Sequence, residues 1–254
     1  MSEHKRAFGL KSLIDPRLGE FPKAVFSPEQ IAALPKKVDY SYDYPKIDNQ
    51  FQFGTCVAFG TKKVFEFFYK KRNNKPILIS ANAIFSGAKN EYYPTDLTDD
   101  GIEVSDGLNI LKQYYVLDSA LPYQPNNFAA CVAPVPDDLK KTDFLFQDFV
   151  SVNPTVEEIK LALYHHGVVA IGIDFSNEWM QQPTNGVLQP HNLTSAGGHC
   201  ISLAGYDDDI DVGDGTNGAF LLINSWSTDW ALGGKAWLPY SSDVLPSDVF
   251  TVKA

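Results

Sequence analysis

The sequence predicts an α+β protein of two lobes, and three observations carry that expectation. Helical periodicity governs the chain from Thr55 to about Tyr115, and short apolar runs divided by turn residues govern it after Val168. Between them lies a Pro-rich connection, LPYQPNNFAACVAPVPDD, over 121–138. Helices first and strands later, rather than alternation, imply segregated layers. A chain of 254 residues is long enough for one large domain or two modest lobes to bury a core. The expected division is an arm over 1–33 and a domain over 34–254. Within the domain, a helical lobe spans about 46–124 and a strand-rich lobe about 125–254.

The elements follow in order. SPEQIAAL opens a short helix with Ser27 as N-cap, Pro28 at the first helical position and Glu29 in the first turn, and Pro35 ends it. From Thr55 to Arg72, apolar Val57, Val64, Phe65 and Phe68 form one stripe that Phe59 and Phe67 widen. Lys70, Lys71 and Arg72 complement the negative end of that helix, and Asn73-Asn74 stops it. Further helices are expected over about 80–89 and 105–115. Thr155 and Glu158 form a capping box for VEEIKLALYHHG, with Gly167 as its close and His165 and His166 as partners of its dipole. Then VVAIGIDF, CISLAGYD, AFLLINSW and KAWLPYS read as strands. The acidic run YDDDIDVGDG departs from a calcium loop, with Asp214 at position six and Phe220 at position twelve, and is expected as a solvated loop.

Composition narrows the function. Apolar residues make up 44% and charged residues 20%, as in ordinary globular chains. A net charge of −10 argues against nucleic acid or an anionic membrane as partner. Three cysteines, Cys56, Cys131 and Cys200, are too sparse for a disulfide framework, and no Cys/His spacing suggests a metal or other cofactor. With no signal-peptide pattern at the N-terminus, the expected location is cytoplasmic, or exported or virion-associated by a route that needs no such signal.

Cys56, in DNQFQFGTCVAFG, lies in the first turn of the predicted helix. Alone it reads as a buried helix cysteine. A helix N-terminus together with a neighbouring imidazolium would convert its thiol to a thiolate. Three ordered segments supply that setting: NQFQFGTCVAF, GGHCISLAGYD and INSWSTDWALGG. They resemble the nucleophile, histidine and asparagine motifs of the papain-like cysteine peptidases, and the likeness runs from about Leu34 to Tyr240, looking more like bacterial or phage-borne members without disulfides. The resemblance implies a two-lobed fold, a helical lobe plus a barrel-like antiparallel sheet lobe, with the site in the cleft between them, and a polypeptide substrate. It implies Cys56 as nucleophile, His199 as its base, Asn224 as the residue that orients the imidazole, and Gln50 as oxyanion donor. Trp226 would shield the His–Asn bond, and Gly101, Ile102 and Cys200 would border the substrate.

The departures are equally plain. Val57 stands in place of the usual Trp, Phe53 in place of a half-cystine, and Ser227 and Ala231 in place of glycines. Gly101-Ile102 replaces a Gly-Gly. A transglutaminase- or amidase-type acyl transferase, and a non-enzymatic structural or binding component of a virion or secretion assembly, are the alternative functions. Cys131 is expected as a bystander. For Cys200 two readings stay open, a side chain facing away from His199 or one walling a pocket. The arm is too short for a long inhibitory propeptide, yet carries Phe8, Leu10, Leu13, Ile14, Leu18, Phe21, Val25 and Phe26. It is expected to pack on the back of the sheet or on a partner protein, in preference to lying across the cleft.

Overall fold

Helix α2, Cys56–Asn73, is the axis around which the molecule is built. In this computed structural model, which describes residues 7–44, 46–144, 146, 148–180 and 185–252, it is buried on every face from Cys56 to Phe68. The sequence predicts only a widened apolar stripe. The difference is that Lys62, Lys63 and Glu66 are buried too, in a closed ion network with Asp48: Lys62 Nζ lies 3.3 Å from Asp48 and 3.4 Å from Glu66, and Lys63 Nζ 2.7 Å from Asp48. Glu66 also accepts the Ile79 N–H at 3.1 Å. Burial works to lower the Lys62 ammonium, but Glu66, Asp48 and Asp118 outweigh it and raise it above its ordinary value.

Around α2 pack α3 (Ala81–Tyr92), α4 (Val104–Gln113) and α5 (Phe128–Val132), the last against α3. Ser80 and Asn127 cap α3 and α5 through their side chains. The buried Cys131 sits on α5. Phe144 and Phe146 close the rings of Phe65 and Phe68, so the chain keeps to the helical side well past residue 125. It enters the sheet at β2, Phe149–Ser151.

Among the described residues the sheet has seven antiparallel strands: β1 (Lys37–Asp39), β2, β3 (Val169–Ser176), β4 (Ser195–Asp211), β5 (Asn217–Ile223), β6 (Lys235–Pro239) and β7 (Asp248–Val252). Their order is β2-β7-β3-β4-β5-β6, with β1 taking over from β3 beside β4 beyond Leu203. The sheet does not close. Instead each free edge is covered by irregular chain: arm residues exchange bonds with Ser151 of β2, and the 186–188 segment does so with Trp237 of β6. Helix α6, Val156–His165, packs on β4. Thr155 caps it by accepting the Glu158 N–H, but the Glu158 carboxylate accepts from Asn153 instead of closing a capping box.

The acidic run is not a loop along its length. β4 extends through it to Asp211 because cations line up opposite: Lys37 meets Asp207 at 2.9 Å in register, and Lys36 and Lys160 meet Asp209 and Asp208. The short α1, Pro28–Ala32, has the Ser27 cap expected of it, closed into a box by Gln30. Ser227 and Ala231 both hold left-handed backbone, φ 65° and 45°, so the loop after β5 keeps a glycine-type course without glycine.

Removing one member of the buried ion network should leave the others as uncompensated charges. Glu66→Ala is expected to lower the unfolding free energy by about 3–5 kcal/mol, read by urea denaturation.

Candidate active site

Cys56 is the first residue of α2 and has no exposed surface. Its sulfur accepts the backbone N–H of Cys200 at 3.4 Å. That contact exists because α2 lies almost against β4. A Cβ on Gly60, one turn beyond Cys56, would come 2.7 Å from the Cys200 sulfur, and the Ser202 hydroxyl donates to the Gly60 carbonyl at 3.0 Å. Cys200 thus turns its thiol into the α2–β4 interface. Side chains alternate along β4, so His199 takes the other face.

The His199 ring is held on three sides. Its Nε2 lies 2.9 Å from Asn224 Oδ1, which also accepts the Ser225 N–H at 2.8 Å. That backbone donor fixes the amide's orientation, so Nε2 carries the proton in the neutral ring and Nδ1 is the basic nitrogen. Among the described residues the buried Nδ1 makes no hydrogen bond. Trp226 stacks on the imidazole with centroids 4.8 Å apart, and Phe175 meets it edge-on at 5.2 Å, so the His–Asn bond is walled from water.

Gln50 reaches the same place from the loop before α2. Its backbone N–H donates to the Ser225 carbonyl at 2.8 Å, and the buried Ser225 hydroxyl donates to Gln50 Oε1 at 2.6 Å. The amide group is thereby turned so that Nε2 faces the cleft. Sequence reasoning passed over Ser225; its place between Asn224 and Trp226 was the available signal.

The cleft is occupied by the arm. Residues 7–11 run through it, with Leu10 bridged in parallel to Ile102, the Ile102 N–H donating to Gly9 at 3.2 Å and the Leu10 N–H to Gly198 at 3.1 Å. Gln50 Nε2 donates to the Ala7 carbonyl at 3.0 Å, and Phe8 packs edge-on against His199 and Trp226. The fit is tight backbone to backbone. A Cβ on Gly9 would come 1.8 Å from the Gly54 carbonyl oxygen, and one on Gly101 would come 2.2 Å from that of Gly9.

This corrects the expectation for the arm. Its later part packs on the strand-rich lobe, with Phe21 against Phe250 of β7 and Phe26 beside His165 and His166 at the end of α6, but its earlier part crosses the cleft. No side-chain pattern announces a contact made by glycines. Nor is all of its apolar content buried: Leu13, Ile14 and Val25 stay exposed. Residues 1–6 of the arm lie outside the described residues.

Covering the pair changes its electrostatics. Burial pushes the Cys56 thiol up to about 12, against the N–H groups of Cys200, Gly9, Val57 and Cys56 itself. Burial likewise takes His199 down to about 4, against its bond to Asn224. Both groups are therefore neutral at pH 7 under the arm, and the ion pair implied by the sequence is disfavoured for lack of water.

The comparisons agree with this architecture. A profile described as papain family cysteine protease matches residues 34–243. An uncharacterized peptidase C1-like protein of Acanthamoeba polyphaga mimivirus is 22% identical over 98% of this chain and 79% of its own length. Among solved structures, xylellain, a cysteine protease from Xylella fastidiosa, superposes with a TM-score of 0.82 at 20% identity, covering 100% of this chain and 98% of that one. The procathepsin B S9 of Trypanosoma congolense has a TM-score of 0.77 at 17% identity, covering 99% and 88%. With most of its length matched by the family profile and its fold shared with solved members, the chain belongs to the papain family of cysteine proteases.

Proposed function

We propose that the protein is a cysteine endopeptidase whose own arm holds it latent. With the cleft open, water reaches Cys56 and His199, and the proton passes from sulfur to Nδ1. The Cys56 thiolate attacks the carbonyl carbon of a bound polypeptide. Gln50 Nε2 and the Cys56 N–H take the developing oxyanion. His199 gives its Nδ1 proton to the leaving amine as the C–N bond breaks, leaving a thioester. The same nitrogen then takes a proton from water, whose oxygen attacks the thioester and frees the acid and the thiol. Asn224 keeps the ring aligned through both half-reactions, and Ser225 keeps Gln50 aligned.

The observation that carries this reading is the state of His199. Its Nε2 is committed to Asn224 and its Nδ1 has no partner, as a base awaiting a proton from a thiol requires. Latency is supported by what the arm presents to the nucleophile. The Gly9 N–H faces the Cys56 sulfur, and Gln50 Nε2 already donates to the Ala7 and Phe53 carbonyls, each at 3.0 Å.

Two experiments test it. With an unfolded polypeptide as substrate, Cys56→Ala should abolish hydrolysis with the fold intact, and Gln50→Ala should lower kcat by about 10²–10³. Hydrolysis by Cys56→Ala at the parent rate would overturn the mechanism. For latency, Gly9→Ala forces a methyl into the Gly54 carbonyl. Overpacking of that kind should loosen the cleft segment by about tenfold to a hundredfold. Labelling of Cys56 by an epoxysuccinyl peptide should rise by the same factor, whereas unchanged labelling and turnover would show that the arm does not cover the working site.

A further inference from the structure

Behind the cleft segment, the arm is tied to both lobes through acids. Asp15 donates its N–H to Asp248 of β7 at 2.8 Å, and its carboxylate accepts the N–H groups of Ser105 and Arg17, each at 2.8 Å. Glu103, at the N-cap of α4, accepts from the Ser12 backbone at 3.1 Å and from its hydroxyl at 2.6 Å. Asp106, in the first turn of α4, accepts from Tyr93 at 2.6 Å and pairs with Arg17, which also donates to Ser105 at 3.1 Å and lies over Tyr92. All four acids are buried, Asp106 and Asp248 completely, and Asp248 Oδ1 makes no hydrogen bond. Four carboxylates thus gather where the arm, α4 and β7 meet, with the Arg17 guanidinium against two of them, Asp106 and Asp15.

Resting on the reading of the arm as the cover of the site, we propose that Glu103, Asp106 and Asp248, gathered around Asp15 and Arg17 of the arm, form a proton-operated latch: the arm stays docked while these three acids hold protons and is released as they ionise. Fully ionised, four acids and one Arg would bury three net negative charges (4 − 1), which a dry junction does not tolerate. When residues 7–17 lift, Glu103, Asp106 and Asp248 open to water and the need for protons disappears.

The charged surroundings agree in sign. Burial pushes Asp248 up to about 7, with Asp15 and Glu103 adding to it, and Cys200 lies behind. Burial also raises Glu103, with Asp15 and Asp106 reinforcing it, and raises Asp106 despite Tyr93 and Arg17. Lys11 at the rim faces Glu103 but pairs with Asp96 and Asp100. Burial works to raise Asp100, yet Lys11 and Lys89 hold it down to about 2, so that pair is lost only in strong acid. Cys56 and His199 share one proton whether neutral or ion-paired, so they add no pH dependence at neutral pH.

Glu103, Asp106 and Asp248 therefore have raised values when the arm is docked, and docking takes up protons. It is strongest below the ordinary carboxylate range near 4 and weakens as pH rises through about 7. Release comes with rising pH.

Hydrogen exchange on the full chain reads this directly at the amides of Leu10, Lys11 and Asp15, whose acceptors are Gly198, Ile102 and Asp248. After correction for intrinsic rates, protection should fall about a hundredfold from about pH 4.5 to 7.5. Asp248→Asn keeps the acceptor for Asp15 without the charge and should hold high protection with a much flatter profile. If that variant does not fold, Glu103→Gln should flatten the profile in part, and the parent profile still decides. Protection that is constant or rises with pH overturns the latch, as does a fall of equal size in Asp248→Asn. Epoxysuccinyl labelling at pH 7.5 separates the two readings: amides that open while Cys56 stays unlabelled would sink the peptidase and leave the latch standing.

Discussion

The site depends on how closely helix α2 lies to strand β4. Gly60 and Cys200 leave no room for a further methyl between them, and the Ser202 hydroxyl ties the strand to the helix at the same level. That contact places the first residue of the helix beside the His199–Cys200 peptide, and the Cys56 sulfur receives the Cys200 N–H as a result. Cys56 and His199 come from opposite layers of an α+β fold. Their relative position is therefore a property of interlayer packing, which is dense and stiff, rather than of loop conformation.

Polar groups inside the packing do the aligning. Asp48 is held by Lys62 and Lys63 from α2, and it lies two residues before Gln50 on the same loop. Its carbonyl accepts the Ser227 N–H, while the Gln50 N–H donates to Ser225, so the nucleophile loop and the asparagine loop are laced together. The ion network is unusual on a helix with no exposed face in its first three turns. It is tolerated because its ions are mutually paired and Glu66 also holds a backbone N–H. Ser227 and Ala231 keep a left-handed course on the same loop, which shows how firmly these bonds dictate the backbone.

Where residues state their geometry locally, the sequence is a good guide. The helix start at Cys56, the Ser27 and Thr155 caps and the strand runs after Val168 are all written in caps, periods and turn residues. The positions of Gln50, His199 and Asn224 are legible in ordered motifs; the structure joins His199 to Asn224, ties Asn224 and Gln50 to Ser225, and sets the Cys56 sulfur on the Cys200 N–H next to His199. What escaped has no local signature. β1 and β2 are three residues long, too short to show a period, and β7 lies in a segment of mixed character. The extension of β4 through the acidic run depends on lysines far away in the chain. The arm's passage rests on Gly9, Gly54 and Gly101, whose contribution is the absence of side chains.

The arm's attachment to β2 has a consequence for how the cleft can open. Lys23 bridges Ser151, and the Ser151 N–H and carbonyl bond to Pro22 and Ala24, so this stretch serves as the outermost partner of the sheet. Peeling it away would bare a strand edge and invite pairing with another chain. Opening is therefore confined to the residues upstream of that strap. The segment acts as a tethered plug, and the tether sets its concentration beside the cleft at a high value after every release. Under the proposed latency such a plug would be rebound quickly unless it is cut or its docking is weakened, and access to the site would then follow an intramolecular equilibrium that does not change when the protein is diluted.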